Sequence, residues 1–344
     1  MIFFLAIVFF TNAKNINLAV KSSLLFCINN LVPSIFIYMV FSSFILYLCD
    51  FSRILSKIKV SVFNILGICK IYAIDIILCS VCGFVSGAKI ISEKFTKFGG
   101  NSLDFSNSVI LSSNAGIGFL IGCVGIKIWN SIPFGIYLFL VQIALSILLG
   151  KILLNHSKSS NNLRILSKKK VTISSAFCKA VCSTATTLIS MCAFVVVFSC
   201  FGNNLFALLG IKKGSFLYSF TSVILEFSQG IFLCTLYENS LICAFMTGFC
   251  VGFGGLCVHF QIFSVCDGLP LDKARFVIFK FFHGILCGIS SIIFVFFAKI
   301  KPTIFTDSFL ESPKFHIEFL SIISLCVIIF ALFFIIKKIF LKSY

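Results

Sequence analysis

Long apolar runs separated by short polar and basic stretches recur along the chain. A brief apolar start at residues 1–10 (MIFFLAIVFF) has no basic leader and no small-residue cleavage site, so it reads as a short first span rather than a cleaved signal. The segment from Asn15 to Leu31 is more polar, with Lys21, Ser22, Ser23, Asn29 and Asn30, and Pro33 then opens a run that lasts to Cys49. A polar half-helix, a proline and a full span predict a helix that lies at the interface or re-enters the membrane under protein cover. Further runs cover 71–91, 105–126, 131–154, 172–201, 215–235, 240–263, 274–298 and 317–336. A helical span takes about 20 residues, and the period-two alternation of membrane strands is absent. The pattern predicts an all-α polytopic membrane protein of roughly eight to ten transmembrane or re-entrant helices.

Four runs are interrupted by small or polar residues: at Gly83 to Lys89, at Ser112 to Gly116, at Glu226 to Gly230 (EFSQG) and at Gly252 to His259 (GFGGLCVH). The same order recurs in both halves. Lys21 corresponds to Lys179, Ser86 to Ser228, Asn114 to Gly254 and Gln142 to His283, the last three at nearly constant separation. The predicted layout is a short N-terminal span (1–15), a first membrane repeat (16–154), a basic loop (155–170), a second repeat (171–298) and a C-terminal loop with a last span (299–344). Interrupted segments at matching places in two halves point to a substrate site, where half-helix ends and unwound backbone face a midplane cavity.

Composition reinforces this picture. The 344 residues are 59% hydrophobic and only 11% charged, with a mean hydropathy of +1.12, whereas soluble domains carry about 25% charged residues. A soluble enzyme, a disordered chain and a secreted disulfide scaffold are excluded. The net charge of +17 sits between the runs, in groups such as Arg53, Lys57 and Lys59 or Lys168 to Lys170. It reads as topology signals and anchors to anionic lipid, not as a nucleic-acid surface. The stretch 155–170 is placed on the cytoplasmic side by its charge. The loops at 53–59 and 89–97 are both basic although a candidate span separates them, so either one broken segment re-enters or the charge rule fails there. Most of the 17 cysteines lie inside apolar runs and read as small hydrophobes.

Polar groups inside the runs are the candidates for function. Asn114, beside Ser112 and Ser113, can accept and donate at once. Glu226 and Gln229 are three residues apart and read as one helix face; a carboxylate in hydrocarbon costs roughly 2.5–3.5 kcal/mol and needs a cavity, a partner or a proton path. Asp75 raises the same question, with a basic loop near enough to pair it. His259 and Gln261 follow the glycine cluster, and with His283 and Glu226 they could be read as a metal site. Their spacing matches no fixed-ligand pattern, so no metal and no cofactor are expected. For every one of these groups the competing reading is a hydrogen bond that glues helices together. No nucleotide-binding loop and no catalytic triad is recognisable, which argues against an enzyme.

Several short motifs carry a family likeness: LVPSIF at Leu31 to Phe36, SGAK at Ser86 to Lys89, SSNAG at Ser112 to Gly116, LEFSQG at Leu225 to Gly230 and, most specific, GFGGLCVHFQI at Gly252 to Ile262. From Leu18 to Phe297 the chain resembles the YlbJ-type sporulation integral membrane proteins. These belong to a wider Gate-domain group that includes nucleoside transporters, the ferrous-iron transporter FeoB and spore maturation membrane proteins. Two motifs depart from the pattern: SGAK replaces a longer SGYPxGAK, and SNAG lacks the proline of an SNP-like break. The resemblance implies a multi-pass protein of a bacterial cytoplasmic membrane, acting in spore formation, with solute transport as its suspected activity. Residues and resemblance together suggest a permease for a small polar solute, nucleoside-like or an ion. Candidate contacts are Ser86, Lys89, Ser113, Asn114 and Glu226, together with Gln229, Gly254, His259 and Gln261. The alternative is a non-transporting scaffold for spore-envelope assembly. Expected partners are the lipid bilayer, a solute or coupling ion, and further copies of the chain or sporulation membrane proteins.

Overall fold

The computed structural model describes residues 13–48, 69, 71–154, 171–212, 214–237 and 239–303. The expected spans at 1–10 and 317–336 and the basic loops at 53–59 and 155–170 lie outside the described residues. Among the described residues the secondary structure is helical, with no strand. Five helices among the described residues are long and apolar enough to cross a membrane: Ile16–Leu48, Ile132–Leu153, Ile173–Leu208, Ser240–Val265 and Lys273–Ala298. Their outward faces carry large exposed apolar side chains, such as Leu140, Ile152, Ile293 and Phe297, as contact with a bilayer requires.

The first helix differs from expectation. α1 (Ala13–Phe26) runs through a π-helical turn at Cys27–Leu31 straight into α2 (Val32–Leu48), forming one continuous element instead of an interfacial half-helix. Pro33 is tolerated because other groups take up the hydrogen bond it cannot make. The Val32 N–H bonds back to the Cys27 carbonyl, the Ser34 hydroxyl donates to the Asn30 and Leu31 carbonyls at 2.7 and 2.9 Å, and Lys127 donates to the Asn29 carbonyl at 3.3 Å.

Four of the helical segments are broken. α3 (Ala73–Cys82) gives way to α4 (Phe84–Phe98) at Gly83, whose φ of 104° only glycine adopts freely. α5 (Ser102–Ser112) ends in an unwound stretch before a π-helical segment, Phe119–Ile128. α6 (Ile132–Leu153) and the 36-residue α7 (Ile173–Leu208) are unbroken. α8 (Phe216–Leu225) is separated from α9 (Phe227–Cys234) by Glu226 in extended conformation. α10 (Ser240–Phe253) is separated from α11 (Gly255–Val265) at Gly254, which is left-handed with φ 86°. α12 (Lys273–Ala298) follows. Side-chain caps start most of these elements. Asn101, Ser131, Thr172, Ser215, Asn239 and Asp272 each accept a backbone N–H from the first turn they precede.

The closest pairing is between α10 and α12. Gly248 and Gly252 on one helix face Gly284 and Gly288 on the other, two small-residue stripes of four-residue spacing that let the backbones touch. α1 and α2 pack along α7, and α6 packs against both α12 and the π-helical segment. The interior where the breaks converge is aromatic: Phe227 meets Phe84 and Phe119 with ring centroids 5.1 and 4.7 Å apart.

Candidate functional site

The four breaks come together. A Cβ placed on Gly83 would lie 3.5 Å from the Gly116 nitrogen, which joins the first break to the second, and one on Gly255 would lie 3.0 Å from the Phe227 nitrogen, which joins the fourth to the third. The Phe84 ring links the two pairs, since it stacks edge-on against Phe227 and a Cβ on Gly254 would approach it to 3.2 Å. A small cavity of about 40 Å³ lies at this junction, lined by residues that include Gly83, Ser86, Gly116, Glu226 and Gln261. Most of its wall is apolar, supplied by Phe84, Phe119, Phe227, Met191 and Val195. That space holds roughly one to three water molecules.

Polar groups at the wall are few. Ser86 and Gln261 are buried. The Gln261 amide touches only the Cys257 sulfur, at 3.2 Å, and its oxygen has no partner in the protein. Buried amides without partners are rare in folded proteins, so Gln261 offers an open hydrogen-bonding position at the cavity.

Glu226 also lines the cavity, but its carboxylate turns back onto α9. One oxygen accepts the Ser228 N–H and hydroxyl at 2.9 and 2.8 Å, and the other accepts the Gln229 N–H at 2.6 Å. It is the N-cap of a half-helix whose first N–H groups have no other acceptor. Glu226 and Gln229 therefore do not both lie within one helix, as their spacing suggested they would: Glu226 is the extended cap that precedes it. The break places Glu226 ahead of the helix, and the Gln229 side chain reaches α7, where the Ser199 hydroxyl donates to it at 2.6 Å. Removing the cap by Glu226→Ala should lower stability by about 1–3 kcal/mol, and Glu226→Gln, which keeps one acceptor oxygen, should cost less; thermal unfolding of the purified variants measures both.

The second break is held by long-range contacts. The Gln142 side chain of α6 accepts the Ala115 N–H at 3.0 Å and donates to the Ala115 carbonyl at 2.7 Å. The Asn114 amide donates to Leu111 O at 2.8 Å and to the Ser80 hydroxyl at 3.3 Å. Lys280 of α12, fully buried, donates to the Ser113 carbonyl and lies 3.5 Å from the Asn114 side-chain oxygen. His283, one turn further along α12, lies between α10 and α6 with its ring nitrogens 3.1 Å from Gly252 O and 2.8 Å from Gln142 O; the single N–H of the neutral ring donates to one of these carbonyls.

The remaining candidates are placed elsewhere. Lys89 reaches across to α7, donating to Ser183 O, Thr186 and Thr187 at 3.1–3.4 Å. His259 bonds the carbonyl of Gly255 at 2.7 Å on its own helix. Its other nitrogen has no protein partner and the ring packs between Phe253 and Phe276. Asp75 pairs with Lys94 at 2.5 Å; the stretch 89–97, expected as a basic loop, is part of the helix α4. Cys79 and Cys82, spaced C-x-x-C, are both buried free thiols, and among the described residues no three His, Cys, Asp or Glu side chains converge as a metal would need. Lys280 is the group that sequence reasoning missed. Its signal is a lone basic residue inside the run FVIFKFFHG, three positions before His283 and so on the same face.

No family model, curated protein or solved structure matches the chain.

Proposed function

We propose that this protein is a permease for a small polar solute, and that the solute passes through the junction of the four helix breaks. The observation that carries the reading is the convergence of those breaks on a cavity lined by Ser86 and by Gln261, whose amide oxygen has no protein partner. Non-helical backbone at membrane depth is tolerated where it is covered by protein or lines a cavity, and broken helices are the usual frame of a carrier site.

The reading includes two repeated halves. A long helix (α1 with α2, and α7) precedes two broken ones (α3 with α4 and α5 with the π-helical segment; α8 with α9 and α10 with α11) and an unbroken one (α6, and α12). Gln142 and His283 hold comparable places in this scheme, each beside the second break of its half. The motif resemblance to the YlbJ-type and Gate-domain group adds spore formation in a bacterial cytoplasmic membrane as the setting, and nucleosides or ions as the solutes to try first.

Uptake by proteoliposomes tests the proposal. Saturable flux of a nucleoside or ion is expected, and Ser86→Phe, which fills the cavity, should reduce it roughly tenfold or more while the protein still folds. Absence of saturable flux for every such solute would sink the reading. The scaffold alternative draws on Glu226, Gln229 and Asn114, whose hydrogen bonds stay within the protein. It predicts that Ser86→Phe leaves spore formation intact.

A further inference from the structure

At the break after α5 four carbonyls, those of Leu111, Ser112, Ser113 and Ala115, each have a partner. A helix C-terminus leaves its last carbonyls without partners and carries partial negative charge. Here the Leu111 carbonyl takes the Asn114 side chain, Ser112 takes the Asn114 N–H, Ala115 takes Gln142, and Ser113 takes the Lys280 amine. The Lys280 amine also faces the Asn114 side-chain oxygen at 3.5 Å and the Phe84 ring at 5.8 Å from its centroid. Among the described residues no carboxylate lies within ion-pair distance of it. A carbonyl oxygen, an amide oxygen and an aromatic face around one amine are surroundings that also suit a bound monovalent cation. Unwound carbonyls and half-helix C-termini coordinate such ions in membrane proteins with broken helices.

We propose that the Lys280 ammonium is the tethered cation of this break: it stands where a free sodium or potassium ion would otherwise bind, so the wild-type protein needs no such ion to hold Ser113 and Asn114 in place. The inference rests on the geometry of the break and is independent of whether the chain carries a solute. Its reach extends to the cavity, because Phe84, over which the amine sits, is one of the cavity's walls.

The test is thermal unfolding of the purified full chain in detergent, in sodium, potassium or choline chloride at equal ionic strength. Wild type should unfold at the same temperature in all three. Lys280→Ala should lose roughly 5 °C or more in choline and recover much of it in sodium, potassium or methylammonium, because a ligand that binds only the folded state stabilises it. Lys280→Met, whose side chain fills the space, should lose as much and recover nothing. A wild type stabilised by sodium or potassium over choline overturns the proposal, and so does a Lys280→Ala protein indifferent to the cation. Should the alanine variant fail to fold in choline, its yield of folded protein decides: recovery when it is purified in sodium, potassium or methylammonium supports the proposal, and failure in all of them overturns it.

Discussion

Gly252→Ala should destabilise the protein by roughly 3 kcal/mol or more, a large fraction of the stability of an ordinary domain. The new Cβ would sit 2.7 Å from the Gly284 Cα and 2.7 Å from the His283 carbonyl. Both are backbone atoms in the middle of α12 and have no rotamer with which to yield. Gly248→Ala should behave similarly, since its Cβ would meet the Cys287 carbonyl and the Ser291 hydroxyl. Gly122→Ala serves as the control. Its Cβ would approach only the Ser34 side chain, at 3.6 Å, so its unfolding temperature should stay close to wild type. In lipid the helices gain little from hydrophobic exclusion and depend on close packing, so α10 and α12 have little with which to offset the clash.

Gln142→Leu should cost about 2–5 kcal/mol by a different route. The variant leaves the Ala115 N–H and carbonyl, both now bonded to the Gln142 side chain, without partners in a buried place, and each orphaned group costs about 1–3 kcal/mol. Gln142→Glu, held as the neutral acid in this buried place, accepts the N–H through its carbonyl oxygen and donates its O–H to the Ala115 carbonyl, so it should fall between wild type and leucine. Thermal unfolding of the three proteins gives the order, and hydrogen exchange at Ala115 should accelerate in the leucine variant by at least about tenfold, because local opening then costs less.

Much of the architecture was legible because helix breaks in an apolar sequence leave few disguises. The cluster from Gly252 to Gly255 marks an interruption, and the Ser-Ser-Asn-Ala-Gly string cannot be read as an uninterrupted lipid-facing span. The first break was placed less well. SGAK drew attention to Ser86, whereas the chain turns at Gly83 and SGAK lies within α4, because only the φ angle distinguishes the glycine that breaks a helix from the one that packs in it. For Glu226 and Gln229 the three-residue spacing implied a single helix, whereas Glu226 caps that helix from outside it. Gln142 and His283 could be matched by position, but their work depends on Ala115 and Gly252, partners distant in sequence that no local pattern reveals. Lys280 was hidden for the opposite reason. In a chain with many basic residues, one more lysine near an apolar run reads as an anchor until its burial is seen.

Under the permease reading, the dimensions of the junction also fix a rate. A chamber of about 40 Å³ walled by Phe84, Phe119 and Phe227 is too small to hold a nucleoside, so every passage of such a solute requires the half-helices to part and close again. Collective motions of that kind take microseconds to milliseconds. Each cycle then moves a fixed number of molecules, turnover saturates, and reconstituted planar bilayers show no unitary current steps.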